Sequence, residues 1–165
     1  RNPYNISFQR MFDMANDSGL FVSHEGYEHR ISGGPESSSL LGETGIRLYE
    51  AKMMNLFDHR FGTYKGQSQE QANMGHLPKV SDLDKANPDS LNEPHYMVRE
   101  KDLCQREPAV WPALAWRRIA SGDNSRTLII SMAPRAAYGD SVFLMHCDEP
   151  IRERLDRKCR GAGRG

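Results

Sequence analysis

Arginine and aromatic side chains recur near turns in the last third of the chain, where they could bind an anion. Trp116 and Tyr138 lie among these arginines, which are Arg117, Arg118, Arg126 and Arg135. A guanidinium pairs with a phosphate or with the edge of guanine, and turns of a β-rich module can enter a DNA groove. The pattern therefore predicts a DNA-contacting surface. The alternative is that half of these arginines are surface charges and that Trp116 belongs to the core.

Glu50 and Lys52 have the spacing found in some metal-dependent nucleases. In such a site the glutamate helps to hold Mg²⁺, and the lysine stabilises the attacked phosphate. The site also needs an aspartate, and Asp17, the nearest one upstream, follows a predicted helix instead of a strand. Because a Glu-x-Lys triplet is common by chance, a Mg²⁺-dependent nuclease is the weaker interpretation.

Two other groups of metal-binding residue types have unsuitable spacing. His24 and His29 are five residues apart, one more than in a helical zinc-protease pair, and a glycine between them favours a polar loop. His146 and Cys147, taken with Cys159, would still need a fourth ligand from elsewhere. We therefore predict no metal and no cofactor in this chain.

Charge is balanced overall but not along the chain. The 165 residues include 22 basic and 22 acidic side chains, which excludes a wholly basic, histone-like binder. Residues 111–165 nevertheless carry ten basic and six acidic side chains, so a polyanion would meet mainly this last third. A solvated surface with a basic tail is the alternative.

The cysteines and the apolar runs indicate the surroundings of the protein. Cys104, Cys147 and Cys159 are widely spaced and odd in number, which does not resemble a disulfide framework. A reducing, cytoplasmic location fits this pattern best. No apolar run approaches the roughly 18 residues of a membrane helix, so we predict no membrane partner.

The first element predicted is an N-terminal helix. Phe8, Met11, Phe12 and Ala15 follow the i, i+3, i+4, i+7 spacing of an amphipathic helix, and Gly19 is suited to end it. Alternation predicts a strand beginning at residue 46. A capping box of Ser68 and Gln71 predicts one or two helical turns.

The region after residue 94 favours β-structure. Residues 95–98 read as a strand and 99–107 as a short helix. Alternating or β-branched runs at 114–120, 126–134 and 141–146, joined by short turns, predict an antiparallel β-meander. Its buried face is expected to bring together Trp116, Leu128, Ile130 and Phe143.

The predicted fold class is α+β, with an N-terminal helix, long polar loops and a small antiparallel β-meander. Because the chain begins with arginine, we interpret residues 1–165 as one fragment of a larger protein. Its predicted parts are a helix with the LYEAKMMNLFDHRFGTY segment (1–65), a polar connection (66–94), a β-rich part (95–146) and a basic tail (147–165).

Four segments form a recognisable series over residues 10–145. They are RMFDMANDSGLF (10–21), LYEAKMMNLFDHRFGTYKGQSQEQANMGHLP (48–78), HYMV (95–98) and WRRIASGDNSRTLIISMAPRAAYGDSVFLM (116–145). In this order and spacing they resemble the adenine-specific DNA methyltransferases of bacterial type II restriction–modification and phage-defence systems. Ser125 stands where that family tends to have an acidic residue, and the tail after His146 also departs from its pattern.

The resemblance implies a function for the region and for its parent enzyme. In that family the region follows the catalytic domain and recognises target DNA. The implied reaction is methyl transfer from S-adenosylmethionine to adenine N6, on a base flipped from the duplex. The cofactor and catalytic loops lie upstream, so the implied partners here are double-stranded DNA and the rest of the methyltransferase. The DNA-contacting candidates are Arg117, Arg118, Arg126 and Arg135, followed by Lys52, His59, Arg60 and Tyr64.

Two alternatives to a DNA-recognition segment remain open. One is the nuclease with Glu50 and Lys52, which Mg²⁺-dependent cleavage would reveal. The other is a structural module that braces the parent's domains without contacting DNA. Salt-dependent DNA binding separates the recognition segment from the bracing module.

Overall fold

The computed structural model describes residues 5–32, 45–109, 111–119 and 128–146. Over these residues the chain is an α+β protein with two four-stranded sheets, which confirms the predicted class. The strands are β1 (Ser7–Gln9), β2 (Val22–Ser23), β3 (Gly45–Tyr49), β4 (Tyr96–Arg99), β5 (Ala113–Arg117), β6 (Ile130–Ala133), β7 (Ala137–Tyr138) and β8 (Val142–His146). The helices are α1 (His24–Ser32), α2 (Gln69–Asn73), α3 (Asp82–Ala86) and α4 (Glu100–Cys104), with 3-10 turns at Ser18–Leu20 and Ala51–Met53.

The first sheet has the strand order β1-β8-β5-β6, with all neighbours antiparallel. It contains the three strands predicted between residues 114 and 146, so the meander-like antiparallel sheet is confirmed. Between β6 and β8 the chain forms β7, which belongs to the second sheet. Strand β8 then pairs with β5 on the side opposite to β6. In this register Trp116 of β5 faces Ile130 on one side and Phe143 on the other.

The second sheet has the order β2-β4-β3-β7, and its β3 and β7 strands run parallel. The strands predicted at residues 46 and 95–98 are β3 and β4, and the short helix predicted within 99–107 is α4. One hydrophobic cluster draws buried residues from both sheets, with Phe12, Tyr49 and Leu144 among them. This shared core fixes the ends of β3 and β5, where the candidate site lies.

Both faces of the first sheet are apolar. The inner face packs in the hydrophobic core and carries small side chains such as Ala115. On the outer face Ile130 is 5% exposed, while Trp116 and Phe143 are half-buried with ring centroids 6.0 Å apart. The predicted burial is therefore confirmed for Ile130 and only partial for the two aromatic residues. It is wrong for Leu128, which precedes β6 and is 48% exposed.

The predicted N-terminal helix is wrong. Phe8 lies in β1, paired with β8, and Met11 and Phe12 are buried in the segment that follows. The edge of β8 offers a backbone ladder, and this long-range pairing overrides the local helical spacing. Asp13 then forms a turn, because its carboxylate accepts the N–H groups of residues 15 and 16 at 3.0 Å each.

A helix forms instead in a segment that we expected to be a polar loop. Helix α1 begins at His24, and the Ser23 hydroxyl accepts the N–H of Gly26 at 3.1 Å, which satisfies a donor of the first turn. Gly26 lies within this first turn, so it does not interrupt the interior of the helix. His24 Nε2 lies 3.8 Å from Glu28 Oε1, one turn further along.

The polar connection 66–94 contains two short, capped helices. Helix α2 begins at the predicted capping box, in which Ser68 and Gln71 exchange side-chain-to-backbone hydrogen bonds. Helix α3 is capped by Ser81, whose hydroxyl accepts the N–H of Asp84 at 3.1 Å. Within the described ranges, none of the helices has the length and apolar character needed to cross a membrane.

Candidate nucleic-acid interface

An open pocket of about 530 Å³ lies between the chain segment 52–79 and the end of β5. Its lining residues are Lys52, Phe61, Gln71, Gly75, His76, Leu77, Pro78, Lys79 and Arg117. The lining carries three cations and no carboxylate among the described residues, so its field attracts an anion. We call this site the cationic pocket.

Lys52 reaches the cationic pocket from the 3-10 turn that follows β3. Its Nζ lies 4.9 Å from the centre of the Tyr64 ring and 3.7 Å from Glu50 Oε2. Tyr64 donates its hydroxyl hydrogen to Glu50 Oε1 at 2.6 Å. Burial, together with this carboxylate, raises the pKa of Tyr64 well above its ordinary value. Tyr64 therefore helps to position Lys52 and is not itself a lining residue of the cationic pocket.

The buried Asn92 holds the loop that forms one wall of the cationic pocket. It is 2% exposed, and its side-chain NH2 group donates to the carbonyl oxygens of Met53 (3.3 Å), His59 (3.3 Å) and Gly62 (2.7 Å). The Met53 carbonyl also accepts the N–H groups of Phe61 and Gly62 at 3.1 Å each. These bonds hold the backbone from which the Phe61 side chain projects.

A short backbone pairing joins the chain around Phe61 to the chain around Lys79. Two N–H···O=C bonds of 3.0 and 3.1 Å connect the segments. The pairing places Lys79 Nζ 5.5 Å from the centre of the Phe61 ring. Gly62 is needed between them, because a Cβ atom there would lie 2.6 Å from the Lys52 carbonyl oxygen.

Arg117 supplies the third cation from the end of β5, where its N–H bonds the Ile129 carbonyl at 3.0 Å. Its side chain is half-buried, and its buried Nε has no hydrogen-bond partner among the described residues. Burial lowers the pKa of the Arg117 guanidinium, but an arginine remains charged at neutral pH. In the described part of the chain neither Arg117 nor Lys79 has an ion-pair partner, so both charges are available to a ligand.

Arg118, the next residue, has one carboxylate partner. Its Nη1 lies 3.4 Å from Asp140 Oδ2, and its side chain is 40% exposed. An exposed pair of this kind only partly neutralises the guanidinium. The predicted Arg126 lies outside the described residues.

Arg135 is neutralised by two carboxylates. Its guanidinium forms ion pairs with Glu100 of α4 and with Glu107, and the bond to Glu100 lowers the pKa of that carboxyl. The ligand atoms of Glu100, Cys104 and Glu107 lie within 4.8 Å of one another. Because Arg135 already binds both carboxylates, the group needs no metal ion to balance its charge. Arg135 is therefore placed to anchor α4.

Arg60 and His59 stabilise the loop that carries them. The Arg60 guanidinium donates to the carbonyl oxygens of Lys85 (2.6 Å), Asn87 (2.9 Å) and Ser90 (3.1 Å). Burial lowers the pKa of His59, which keeps the ring neutral at pH 7. Among the predicted site residues that the structure describes, Lys52 and Arg117 are the two that meet in the cationic pocket.

The geometry around Glu50 does not form a metal-dependent nuclease site. Its carboxylate accepts the Tyr64 hydroxyl and lies beside Lys52. Glu50 belongs to no group of three or more metal-ligating side chains in the described ranges. Asp17, the aspartate considered as its partner, forms an ion pair with Arg106 at 2.6 Å.

Sequence reasoning missed two residues on which the cationic pocket depends. Lys79 supplies one of its cations, and Asn92 holds its loop. Both lie in the stretch that composition assigns to a polar surface connection. One local signal is Pro78, whose fixed φ favours an extended segment at this point.

Comparison with known proteins assigns no family to this fold or to the cationic pocket. No family model, curated protein or solved structure matches the chain. The methyltransferase interpretation therefore depends on the four resembling segments, and the cationic pocket is interpreted from its own chemistry.

Proposed function

We propose that this chain is a DNA-recognition segment of an S-adenosylmethionine-dependent adenine-N6 DNA methyltransferase of a restriction–modification or phage-defence system. The observation that carries the proposal is the cationic pocket, where Lys52, Lys79 and Arg117 meet and where none of the described lining residues is a carboxylate. DNA presents a dense row of phosphates, and Lys79 and Arg117, which have no ion-pair partner among the described residues, are the pocket cations best able to neutralise them.

Burial strengthens the contribution expected from Arg117. A half-buried guanidinium has already lost part of its hydration, and the Nε of Arg117 has no hydrogen-bond partner among the described residues. A phosphate oxygen in the cationic pocket would accept charge-assisted hydrogen bonds from the Arg117 guanidinium. Arg117 is therefore the residue expected to contribute most to DNA affinity.

The cationic pocket lies where the two longest resembling segments meet. Residues 48–78 provide Lys52 and the apolar lining residues Phe61, Leu77 and Pro78, and residues 116–145 provide Arg117. Two segments that are far apart in the sequence thus converge on one anion-binding surface. This convergence supports a link between the resemblance and DNA contact.

The partners in this proposal are double-stranded DNA and the remainder of the methyltransferase, in the bacterial cytoplasm. The cofactor belongs to the parent enzyme. The chain alone should therefore transfer no methyl group from labelled S-adenosylmethionine to adenine-containing DNA. Methylation above the background of a protein-free reaction would contradict this assignment.

A bracing module is the second candidate, and the outer face of the first sheet favours it. Phe8 is 51% exposed there, with its ring centroid 4.9 Å from that of Trp116. Exposed aromatic side chains of this kind are typical of surfaces that contact another protein. A bracing module would leave DNA affinity unchanged when the cationic pocket is altered.

The test compares two substitutions that each remove one positive charge. Arg117→Gln alters the cationic pocket, and Arg135→Gln alters the ion-paired cluster at α4. Binding of the chain to a fluorescein-labelled DNA duplex is measured by anisotropy at low salt. We expect Arg117→Gln to weaken binding about tenfold, the effect of losing one charge-assisted hydrogen bond, and Arg135→Gln to leave it unchanged. Equal affinities for both variants and the unaltered chain would contradict the proposal.

A further inference from the structure

The cationic pocket is larger than contact with a backbone phosphate requires. Its volume of about 530 Å³ lies within the roughly 300–1,000 Å³ of pockets that enclose small organic ligands. A phosphate on the surface of a duplex would reach the cations but would leave the concave interior unfilled. Phe61, Leu77 and Pro78 give that interior an apolar wall suited to a flat ring.

We propose that the cationic pocket holds one unstacked nucleotide, with its phosphate on Lys79 and Arg117 and its base against the apolar wall. This inference rests on the proposed DNA-recognition function and specifies the ligand of the same site. The nucleotide could come from DNA, as a base displaced from its stack, or from a free mononucleotide. Both sources share the same chemistry, a phosphate joined through a sugar to an aromatic ring.

Hydrogen bonds hold the backbone of the apolar wall in place before any ligand binds. Phe61 is fixed by its N–H bond to the Met53 carbonyl at 3.1 Å and by its carbonyl, which accepts the N–H of Val80 at 3.0 Å. Leu77 packs against the main hydrophobic core. A wall already held in place loses little conformational freedom when a base packs on it.

Polar groups beside the apolar wall could bind the edge of a base. The Gln71 side-chain oxygen accepts the Ser68 N–H at 3.0 Å in the capping box, which leaves its NH2 group as a donor. The His76 side chain is exposed at the mouth of the cationic pocket and supplies a ring nitrogen. Hydrogen bonds to base edges together with packing on an apolar surface are the usual means of holding an unstacked base.

A paired base within a duplex cannot use this wall, because both of its faces are covered by neighbouring base pairs. The site should therefore prefer DNA with one unpaired nucleotide over the same duplex without it. Packing of one base is typically worth about tenfold or more in affinity. We expect the unaltered chain to show this preference for a duplex that contains one bulged deoxyguanosine, because its purine base has a large ring surface.

The experiment fills the cationic pocket without changing its formal charge at neutral pH. Leu77→Trp and His76→Trp both place a large ring at the lining. Leu83→Trp is the matched control, since Leu83 on α3 is 84% exposed and is not a lining residue. Binding to the bulged and the intact duplex is measured by anisotropy for the four proteins, and free dGMP is titrated in as a competitor.

The proposal predicts that both pocket-filling variants lose the preference for the bulge, measured within each variant as the ratio of its affinities for the bulged and the intact duplex. The control should retain the preference. Leu77 packs on the core, so if Leu77→Trp does not fold, the exposed His76→Trp decides the outcome. Bulge preference assigns the nucleotide to DNA, whereas competition by dGMP without bulge preference assigns it to the free pool.

The inference and the proposed function fail in different ways. Equal binding of the two duplexes, with no competition by dGMP, would overturn the nucleotide site and leave DNA recognition standing. Absence of DNA binding, together with dGMP binding that a direct titration detects and that His76→Trp abolishes, would overturn DNA recognition and leave the nucleotide site standing.

Discussion

The cationic pocket and the Arg135 cluster use the same kind of charge in opposite ways. In the cationic pocket, Lys79 and Arg117 have no carboxylate partner among the described residues. At α4, two carboxylates, Glu100 and Glu107, enclose the guanidinium of Arg135. A net charge of zero therefore conceals one region whose cations are available to a ligand and another whose cations hold the fold together.

Arg106 and Arg60, like Arg135, bind other groups of the protein and stabilise the fold. Arg106 binds both carboxylate oxygens of Asp17, at 2.6 and 2.9 Å, and donates to the Met11 carbonyl at 3.0 Å. Arg60 donates to three backbone carbonyls. A guanidinium with five donors satisfies several acceptors at once, which suits it to joining segments. The number of protein partners thus separates structural arginines from those available to a ligand.

The largest expected effect comes from removing Lys79 and Arg117, the two pocket cations that have no ion-pair partner among the described residues. The double variant Lys79→Ala/Arg117→Ala should bind duplex DNA about 100-fold more weakly, since two charge-assisted contacts are lost. Its thermal stability should not fall, because neither side chain has an ion-pair partner in the described part of the chain. Anisotropy and thermal melting check the two statements. A fall in melting temperature with unchanged DNA affinity would instead show that Lys79 and Arg117 stabilise the fold and do not bind DNA.

The next effect concerns stability. Arg106→Ala should lower the free energy of unfolding by about 2 kcal/mol, because it leaves the Asp17 carboxylate and a backbone carbonyl without a partner. Urea denaturation measures this change, with Arg106→Lys as the control that keeps the charge but not the two-pronged geometry. DNA affinity should remain that of the unaltered chain. Weaker DNA binding by the folded variant would place Arg106 among the ligand-binding cations.

Arg135→Ala should lower the free energy of unfolding by about 1 kcal/mol, because the ion pairs of Arg135 are partly exposed. Arg135 lowers the folded-state pKa of Glu100, so this stabilisation is present above the ordinary glutamate pKa and is lost as pH falls through the lowered value. The stability difference from the unaltered chain should therefore be constant near pH 7 and shrink in acid. A difference that stays constant as Glu100 is protonated would contradict the ion-pair explanation.

The smallest effects are expected for Arg118→Ala. Its single exposed pair with Asp140 should contribute less than about 0.5 kcal/mol to stability. Its partly neutralised charge lies next to Arg117, so DNA affinity should fall about threefold, well below the loss for Arg117→Ala. Anisotropy with both single variants gives the ranking. A larger loss for Arg118→Ala would move the centre of the binding surface away from the cationic pocket.

The β-structure could be predicted from the sequence because its signals are local. Alternation identified the strands around Ile46, Trp116 and Phe143, and the Ser68 capping box identified the start of α2. The N-terminal helix was wrong because Phe8 pairs with a strand more than 130 residues away, and local spacing contains no information about that partner. The region expected to be a loop at His24 is a helix, since its capping serine compensates for the glycine that follows.

The candidate site was only half predictable. Lys52 and Arg117 have residue types suited to DNA contact, and the sequence selected both. It could not separate Arg117 from Arg135, because the neutralising Glu100 is 35 residues from Arg135 and meets it only in the folded chain. Lys79 was missed for the same reason. Pro78 favours an extended segment there, but the place of Lys79 beside Phe61 depends on a backbone pairing whose other segment no local pattern identifies.

The salt dependence of DNA binding tests the central claim most directly, because it counts the cations that replace counterions on the phosphates. Affinity for one duplex is measured over a series of salt concentrations for the unaltered chain, for Lys79→Ala/Arg117→Ala and for Arg135→Ala. We predict that the double variant flattens the slope of log affinity against log salt by about 0.9 for each lost contact. The Arg135→Ala line should run parallel to that of the unaltered chain. Three parallel lines, or a flattening confined to Arg135→Ala, would contradict the cationic pocket as the DNA-binding site.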